Sequence, residues 1–285
     1  MGLWKSLFGG GEQTAEESKQ KEEAKNFDIL KFDGIRASRI GRLDFALRCF
    51  DEALKLKEDF ETLGYQSSTL IRLNRLEEAV PVLEYMAELE PSIIETHITL
   101  ANVLYMLERY SDMKKAATQA VQCDDQRYTA HFLLSRAHLS LEEIPEAISE
   151  LGKAIALNPE YIEARNLRAE TFMQMGEPNL AMQDITEVLR LNDMDESALA
   201  LRAHIYNKVE HNIDKAEADY RRIIEADPFN RQAYLDLIAL LQAKGEIQEA
   251  QQLQADADAL HLNESDSDTP NYHIGGMEKR DVLGL

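Results

Sequence analysis

Ala46, Ala79, Ala147, Ala181, Ala216 and Ala250, with Met113 completing the series, follow one another at steps of 33 to 35 residues. Pro91, Pro159 and Pro228 recur at twice that step. Four residues after most of these alanines stands a large apolar residue, Phe50, Leu83, Leu151, Ile185 or Tyr220. Three further on comes Ala53, Met86, Ala120, Ala154, Val188, Ile223 or Ala257. About twelve residues before each alanine lies a small residue, namely Gly34, Ser67, Ala101, Ser135, Ala169 and Ala203, with Ile238 the exception. A fixed period of this length means a solenoid, and the spacing predicts two helices per period. The small residues mark where the first helix presses on the second.

At these residues the chain resembles the tetratricopeptide repeat family, whose unit of about 34 residues is a helix–turn–helix. The resemblance covers residues 27–261 and seven repeats. It implies an all-α fold, a right-handed superhelical solenoid. One position departs from the family: its large aromatic early in the first helix is here Leu30, Leu63, His97, His131, Arg165, Leu199 and Tyr234. One extra residue falls between the helices of the sixth repeat, around Glu210 to Asn212, and should lengthen that turn.

The sequence divides into three parts. Residues 1–26 hold a short apolar patch and a highly charged lead-in, either a solvated helix or disordered. Residues 27–261 are the repeats, and residues 262–285 form a tail rich in Asp, Ser, Gly and Asn, expected to be mobile. The last helix, Ile247 to His261, carries Gln251, Gln252, Gln254, Asp256 and Asp258 where earlier repeats are apolar, so it reads as the terminal cap.

Net charge is −21 with 44% apolar residues. Such a surface repels phosphate, which argues against a nucleic-acid partner. It solvates a long helical surface and attracts basic partners. The two cysteines, Cys49 and Cys123, lie more than two repeats apart, beyond disulfide reach, which fits a reducing compartment. The first residues lack a signal peptide's apolar core, and no run suits a membrane span. A cytoplasmic protein is expected.

Chemistry-bearing patterns are few. His97 and His131 occupy equivalent positions in consecutive repeats, yet lack further ligands at metal spacing, so they read as core histidines. No nucleophile elbow or phosphate-cradling loop occurs, and Gly9-Gly10-Gly11 precedes a charged segment, not a strand–helix unit. No catalytic residue, metal or cofactor is assigned, and the chain is not expected to be an enzyme.

The resemblance implies that first helices line a concave face through positions 2, 5, 9, 12 and 13 of each repeat. That register selects Ile98, Asn102 and Tyr105 in the third repeat, Phe132, Arg136 and Leu139 in the fourth, and Asn166, Glu170 and Met173 in the fifth. Helical spacing independently places such residues on one face. An apolar strip with hydrogen-bonding groups suits a peptide or partner protein. Ile98, Phe132 and Leu139 could instead pack between neighbouring first helices, which periodicity alone does not separate from a groove. Some family members hold the C-terminal carboxylate of chaperones with a Lys/Asn/Arg clamp. Here the first repeat offers Lys31 but has Ile35 at the asparagine position, and Leu133, Glu163 and Leu167 stand at later clamp positions. The clamp is therefore absent.

Leu3, Trp4, Leu7 and Phe8 would share one face of a short helix, with Lys5 and Ser6 opposite. They could dock on a membrane, on a partner or in the chain's own groove, or stay in water. Met-Gly-Leu-Trp-Lys-Ser fits a myristoylation pattern, but no polybasic second signal follows. Two functions remain: a scaffold or adaptor that binds protein through its groove, and a peripheral membrane-associated assembly factor tethered by this segment.

Overall fold

The computed structural model describes residues 15–260. The docking candidates Leu3, Trp4, Leu7 and Phe8, like the tail 262–285, lie outside the described residues. Among those described, the chain is helical with no strand. The helices are α1 (Ala15–Arg39), α2 (Leu43–Leu56), α3 (Phe60–Arg72), α4 (Leu76–Leu89), α5 (Ile94–Met106), α6 (Tyr110–Cys123) and α7 (Tyr128–Ser140). They continue as α8 (Ile144–Leu157), α9 (Ile162–Gln174), α10 (Pro178–Leu191), α11 (Glu196–Lys208), α12 (Ile213–Ala226), α13 (Arg231–Lys244) and α14 (Ile247–Ala259). Two compact modules emerge, one ending at Cys123 and holding α1–α6, the other beginning at Asp124 and holding α7–α14.

Within each module the packing is between chain neighbours. Helices pair as α1 with α2, α3 with α4 and α5 with α6 in the first, and as α7 with α8 through α13 with α14 in the second. Inside a module the second helix of one repeat then packs on the first helix of the next, α2 on α3 and α4 on α5 in the first, α8 on α9, α10 on α11 and α12 on α13 in the second. That pattern is a solenoid's, in which no repeat needs a distant partner. The recurring small residues are its seam: Ala46, Ala79, Met113, Ala147, Ala181 and Ala216 are all 0% exposed, and Ala250 is 1%. The large apolar slot after them, Phe50, Leu83, Leu151, Ile185 and Tyr220, is buried as well.

The turn inside each repeat is built by hydrogen bonding. An amide beyond the first helix reaches back five residues to a carbonyl of its last turn: Arg42 to Ala37, Arg75 to Leu70, Arg109 to Leu104, Glu143 to His138, Glu177 to Phe172 and Glu246 to Leu241. This closure requires a left-handed residue just before the bonding amide. Gly41, Gly176 and Gly245 supply it with φ of 78°, 76° and 88°, and Asn74, Glu108 and Glu142 adopt it elsewhere. In the sixth repeat the extra residue lengthens the turn. There Asn212 donates to the Tyr206 carbonyl at 2.7 Å, and His211 takes the left-handed conformation at φ 53°.

Asp59 caps the first turn of α3, accepting from the Thr62 amide at 3.0 Å and from Lys31 of α1 at 2.8 Å. Burial would raise its carboxyl, but the bonds from Lys31 and Thr62 outweigh it and hold the group at about 2. Lys31 also donates to Glu61 at 2.6 Å. The one clamp-like lysine is thus committed to joining two repeats. At the other end only Ala250 and Ala257 of α14 are buried, as a polar terminal helix requires.

In the first repeat the small residue of α1 is Gly34, and a Cβ there would lie 2.5 Å from Cε1 of the buried Phe50 ring. That ring is itself stacked on Tyr65 at 5.7 Å between centroids, so it has little room to retreat. Gly34→Ala should therefore lower stability by about 1–3 kcal/mol, despite alanine's better helix propensity of roughly 1 kcal/mol. Thermal unfolding followed by circular dichroism checks this, and a raised Tm would contradict it.

Candidate functional site

The nine residues selected on first helices divide between the modules. Ile98, Asn102 and Tyr105 belong to α5 of the first, where all three are partly buried and the Tyr105 ring tilts against Tyr110 at 6.1 Å. Phe132, Arg136 and Leu139 on α7 and Asn166, Glu170 and Met173 on α9 belong to the second.

On α7 the open-groove expectation does not fit Phe132. The ring is 5% exposed and packs with Leu151, Ala154, Ile155 and Ala164, between α8 and α9. Tyr161 meets it edge-on at 5.0 Å. Phe132 is a seam residue, because the next repeat's aromatic closes over it. Arg136 lies over the same ring at 5.8 Å and is 6% exposed, so its guanidinium is not an open arm either. Leu139, one turn on, is partly exposed.

On α9 the selected residues keep partial access. Met173 packs on the edge of the core formed by α9–α14. Asn166 donates from Nδ2 to Asp195 Oδ1 at 3.0 Å. Because a carboxylate only accepts, this bond fixes the amide's orientation. Its Oδ1 is left buried with no hydrogen-bond partner. Asp195 meanwhile caps α11 by accepting from the Ala198 amide at 2.9 Å. Glu170, four residues after Asn166, therefore shares its helix face. Burial alone, with no nearby charge to offset it, pushes the Glu170 carboxyl up to about 7.

Two further acids, missed in the sequence, extend this character toward the C-terminus. Burial raises Glu196 at the start of α11, partly offset by a bond from Asn230 at 2.8 Å. Burial also raises Asp236 of α13, with Gln232 and the charge of His204 opposing. Their signal would have been an acidic residue on a first helix facing no basic neighbour, which one chain's periodicity does not display.

Other charged residues are spent on structure. Arg168 grips Asp184 through Nε and Nη2, both at 2.7 Å, and Arg202 holds Asp219 likewise at 2.8 and 2.7 Å. Both aspartates are buried, so first and second helices are joined by an ion pair at the same place in consecutive repeats. The histidines have a structural role. His97 Nε2 meets the Pro91 carbonyl at 2.9 Å, and His131 Nε2 the Asp125 carbonyl at 3.0 Å. In the next repeat Arg165 reaches the Pro159 carbonyl at 3.0 and 3.1 Å. One position thus ties the loop six residues upstream in three successive repeats. The second nitrogen of His131, Nδ1, meets Glu150 at 2.6 Å.

With this geometry in place, residues 98–162 match the tetratricopeptide repeat family. Human DnaJ homolog subfamily C member 3 is 30% identical over 99 residues, which is 34% of this chain and 19% of that protein. A tetratricopeptide repeat protein from Parabacteroides merdae superposes with TM-score 0.60 at 20% identity, covering 71% of this chain and 78% of that one. YrrB, described as a tetratricopeptide repeat protein with an unusual peptide-binding site, gives 0.50 at 17% identity, covering 68% and 95%. The chain spans about a fifth of the curated relatives it matches first, 19% of each.

Two outcomes follow. Phe132→Ala should cost about 3–5 kcal/mol of stability, as for a large-to-small core change; a denaturant midpoint close to wild type would return Phe132 to the open surface. For Glu170 the folded value of about 7 exceeds the ordinary 4.5. Its stabilising contribution is full below 4.5 and is lost as pH rises through about 7. Glu170→Gln should thus be more stable than wild type at pH 8, by about 3 kcal/mol, and nearly equal at pH 4. An equal gain at both pH values would show that ionisation is not the cause.

Proposed function

Taking the chain as a tetratricopeptide repeat protein, we propose that it is a non-catalytic protein-interaction scaffold that binds a peptide or partner protein along the first-helix face of its second module. The observation that carries this reading is α9. There Asn166 Oδ1 and the Glu170 carboxyl sit one turn apart, both lacking a partner, on a helix that keeps partial access to solvent. A buried acceptor without a donor costs free energy that a ligand can recover. Perturbed carboxyls in such positions concentrate at functional sites.

The partner chemistry follows from the groups left open. Glu170, Glu196 and Asp236 are all acids raised by burial. A Lys, Arg or amide-bearing segment would supply the donor that Glu170 lacks, and the net charge of −21 would steer a basic segment toward this face. YrrB, of similar fold, is described as having a peptide-binding site, which supports a peptide as the class of ligand. Cys49 and Cys123 are both free thiols, which supports a reducing compartment and hence the cytoplasm. No helix among the described residues is long and apolar enough to cross a membrane. Nothing in the fold or its relatives favours the membrane-tethered alternative.

Affinity capture with the full-length chain, followed by mass spectrometry and titration of the captured protein, tests this proposal. Asn166→Ala/Glu170→Ala should bind it at least about tenfold more weakly, or ~1.4 kcal/mol. Helical content should not change, and wild-type affinity should fall with added salt. Undiminished binding by the double variant would move the interface off α9.

A further inference from the structure

α1 leaves open a face that every later first helix buries. At the place of Ile29 the later repeats carry a buried threonine or alanine, from Thr62 to Ala233, and at that of Arg36 a buried residue from Thr69 to Leu240. In α1 Ile29 is 48% exposed, and Arg36 is exposed as well. Phe32 and Ile40, at 63% and 64%, fall on the same stripe by helical spacing. Ile40 continues the last turn, since its amide bonds the Arg36 carbonyl at 3.3 Å. The helix is also 25 residues long against 13 or 14 for the others. Residues 16–26 are exposed but for Glu23, so its first half projects beyond its own module's core. A helix polar on all sides needs support from something along it.

We propose that the open face of α1 is a self-association surface, on which α1 of a second copy docks antiparallel. The inference stands apart from the α9 reading. What selects a second copy is the charge order along the stripe. Asp28, Phe32 and Arg36 follow one another at intervals of four residues, an acid, an aromatic and a base. Among the described residues neither Asp28 nor Arg36 forms an ion pair. An isologous contact needs a surface complementary to itself, with residue i meeting j and j meeting i. A two-fold axis at Phe32 provides it: the two rings meet, and Asp28 of each copy faces Arg36 of the other. The same axis carries the projecting half, with Glu22 and Glu23, past the α1–α2 turn of the other copy and its exposed Arg42. Lys25 meets Arg39 as a like charge, but at the exposed rim both heads turn into water.

Size and chemistry disfavour other occupants. A stable contact takes about 800 Å² from each partner. Three apolar side chains fall short of this. An antiparallel pair along α1, about 37 Å long at 1.5 Å per residue, adds the projecting half of each copy and the turn it crosses. The last helix of another copy, α14, would bring exposed Gln251, Gln252 and Asp256, poor cover for Phe32 and Ile40. An anionic membrane is opposed by Glu22, Glu23 and Asp28 beside the stripe.

Sedimentation equilibrium of the full-length chain over the micromolar range tests this. The expected result is a reversible monomer–dimer equilibrium with no larger species. Phe32→Ser changes an exposed side chain that acts twice in the pair. It should keep wild-type helicity and weaken the dimer at least about tenfold. Asp28→Arg, which sets two like charges face to face, should do the same, and Asp28→Arg/Arg36→Asp should restore the dimer. A monomer at every concentration would overturn the proposal, whether the stripe then takes liposomes, another protein or the chain's own first residues. Assemblies that keep growing beyond two copies would overturn it as well. So would a dimer indifferent to Phe32→Ser, or a loss on Asp28→Arg that the double variant does not recover.

Discussion

Close approach of two helices at a small side chain is the constraint on which every repeat depends. Each second helix carries a buried alanine, or Met113, and in five of the seven a large apolar residue follows one turn later. Six of the seven first helices bring a small residue opposite, from Gly34 to Ala203, all buried, and α13 brings Ile238. The pairing is volumetric. Gly34 faces the Phe50 ring so closely that even a methyl group would collide. Interiors at crystal-like density transmit such mismatches instead of absorbing them, so the period of the sequence is also the period of the packing.

Over this apolar seam lies a second, polar layer that the alanine pattern does not announce. Asp184 and Asp219 are buried acids, each gripped by an arginine from the preceding helix. A buried ion pair gives little net stability against an apolar pair, but removing one member strands a charge. Such pairs therefore favour one register of first helix on second. The ties from His97, His131 and Arg165 to upstream carbonyls act at the joint between repeats, where a loop carbonyl would otherwise lack a donor. Two histidines in equivalent places invite a metal interpretation. Arginine in the third place explains the pattern better, since it shares their capacity to donate and not their capacity to ligate.

Against so many satisfied charges, Glu170 is the exception. Its neighbours in sequence are committed: Arg168 to Asp184, and Asn166 to Asp195. The carboxyl on the same helix is left with burial and no cation. Phe132, which looks equally suited to a ligand by register, has already found its contacts within the protein.

Local chemistry let the sequence alone determine a good deal. The period, the pairing of helices, the seam alanines, the lengthened sixth turn and the polar last helix were all legible, because each depends on a residue's size or polarity at a fixed spacing. Solvent access was not legible, because it depends on side chains contributed by another repeat. Arg136 and Glu170 occupy equivalent places on consecutive first helices, yet one lies over the Phe132 ring and no cation reaches the other. The division into two compact modules at Cys123 leaves no mark in the period either. Periodicity states which residues share a face; only the assembled neighbours decide which of that face is core and which stays open to solvent.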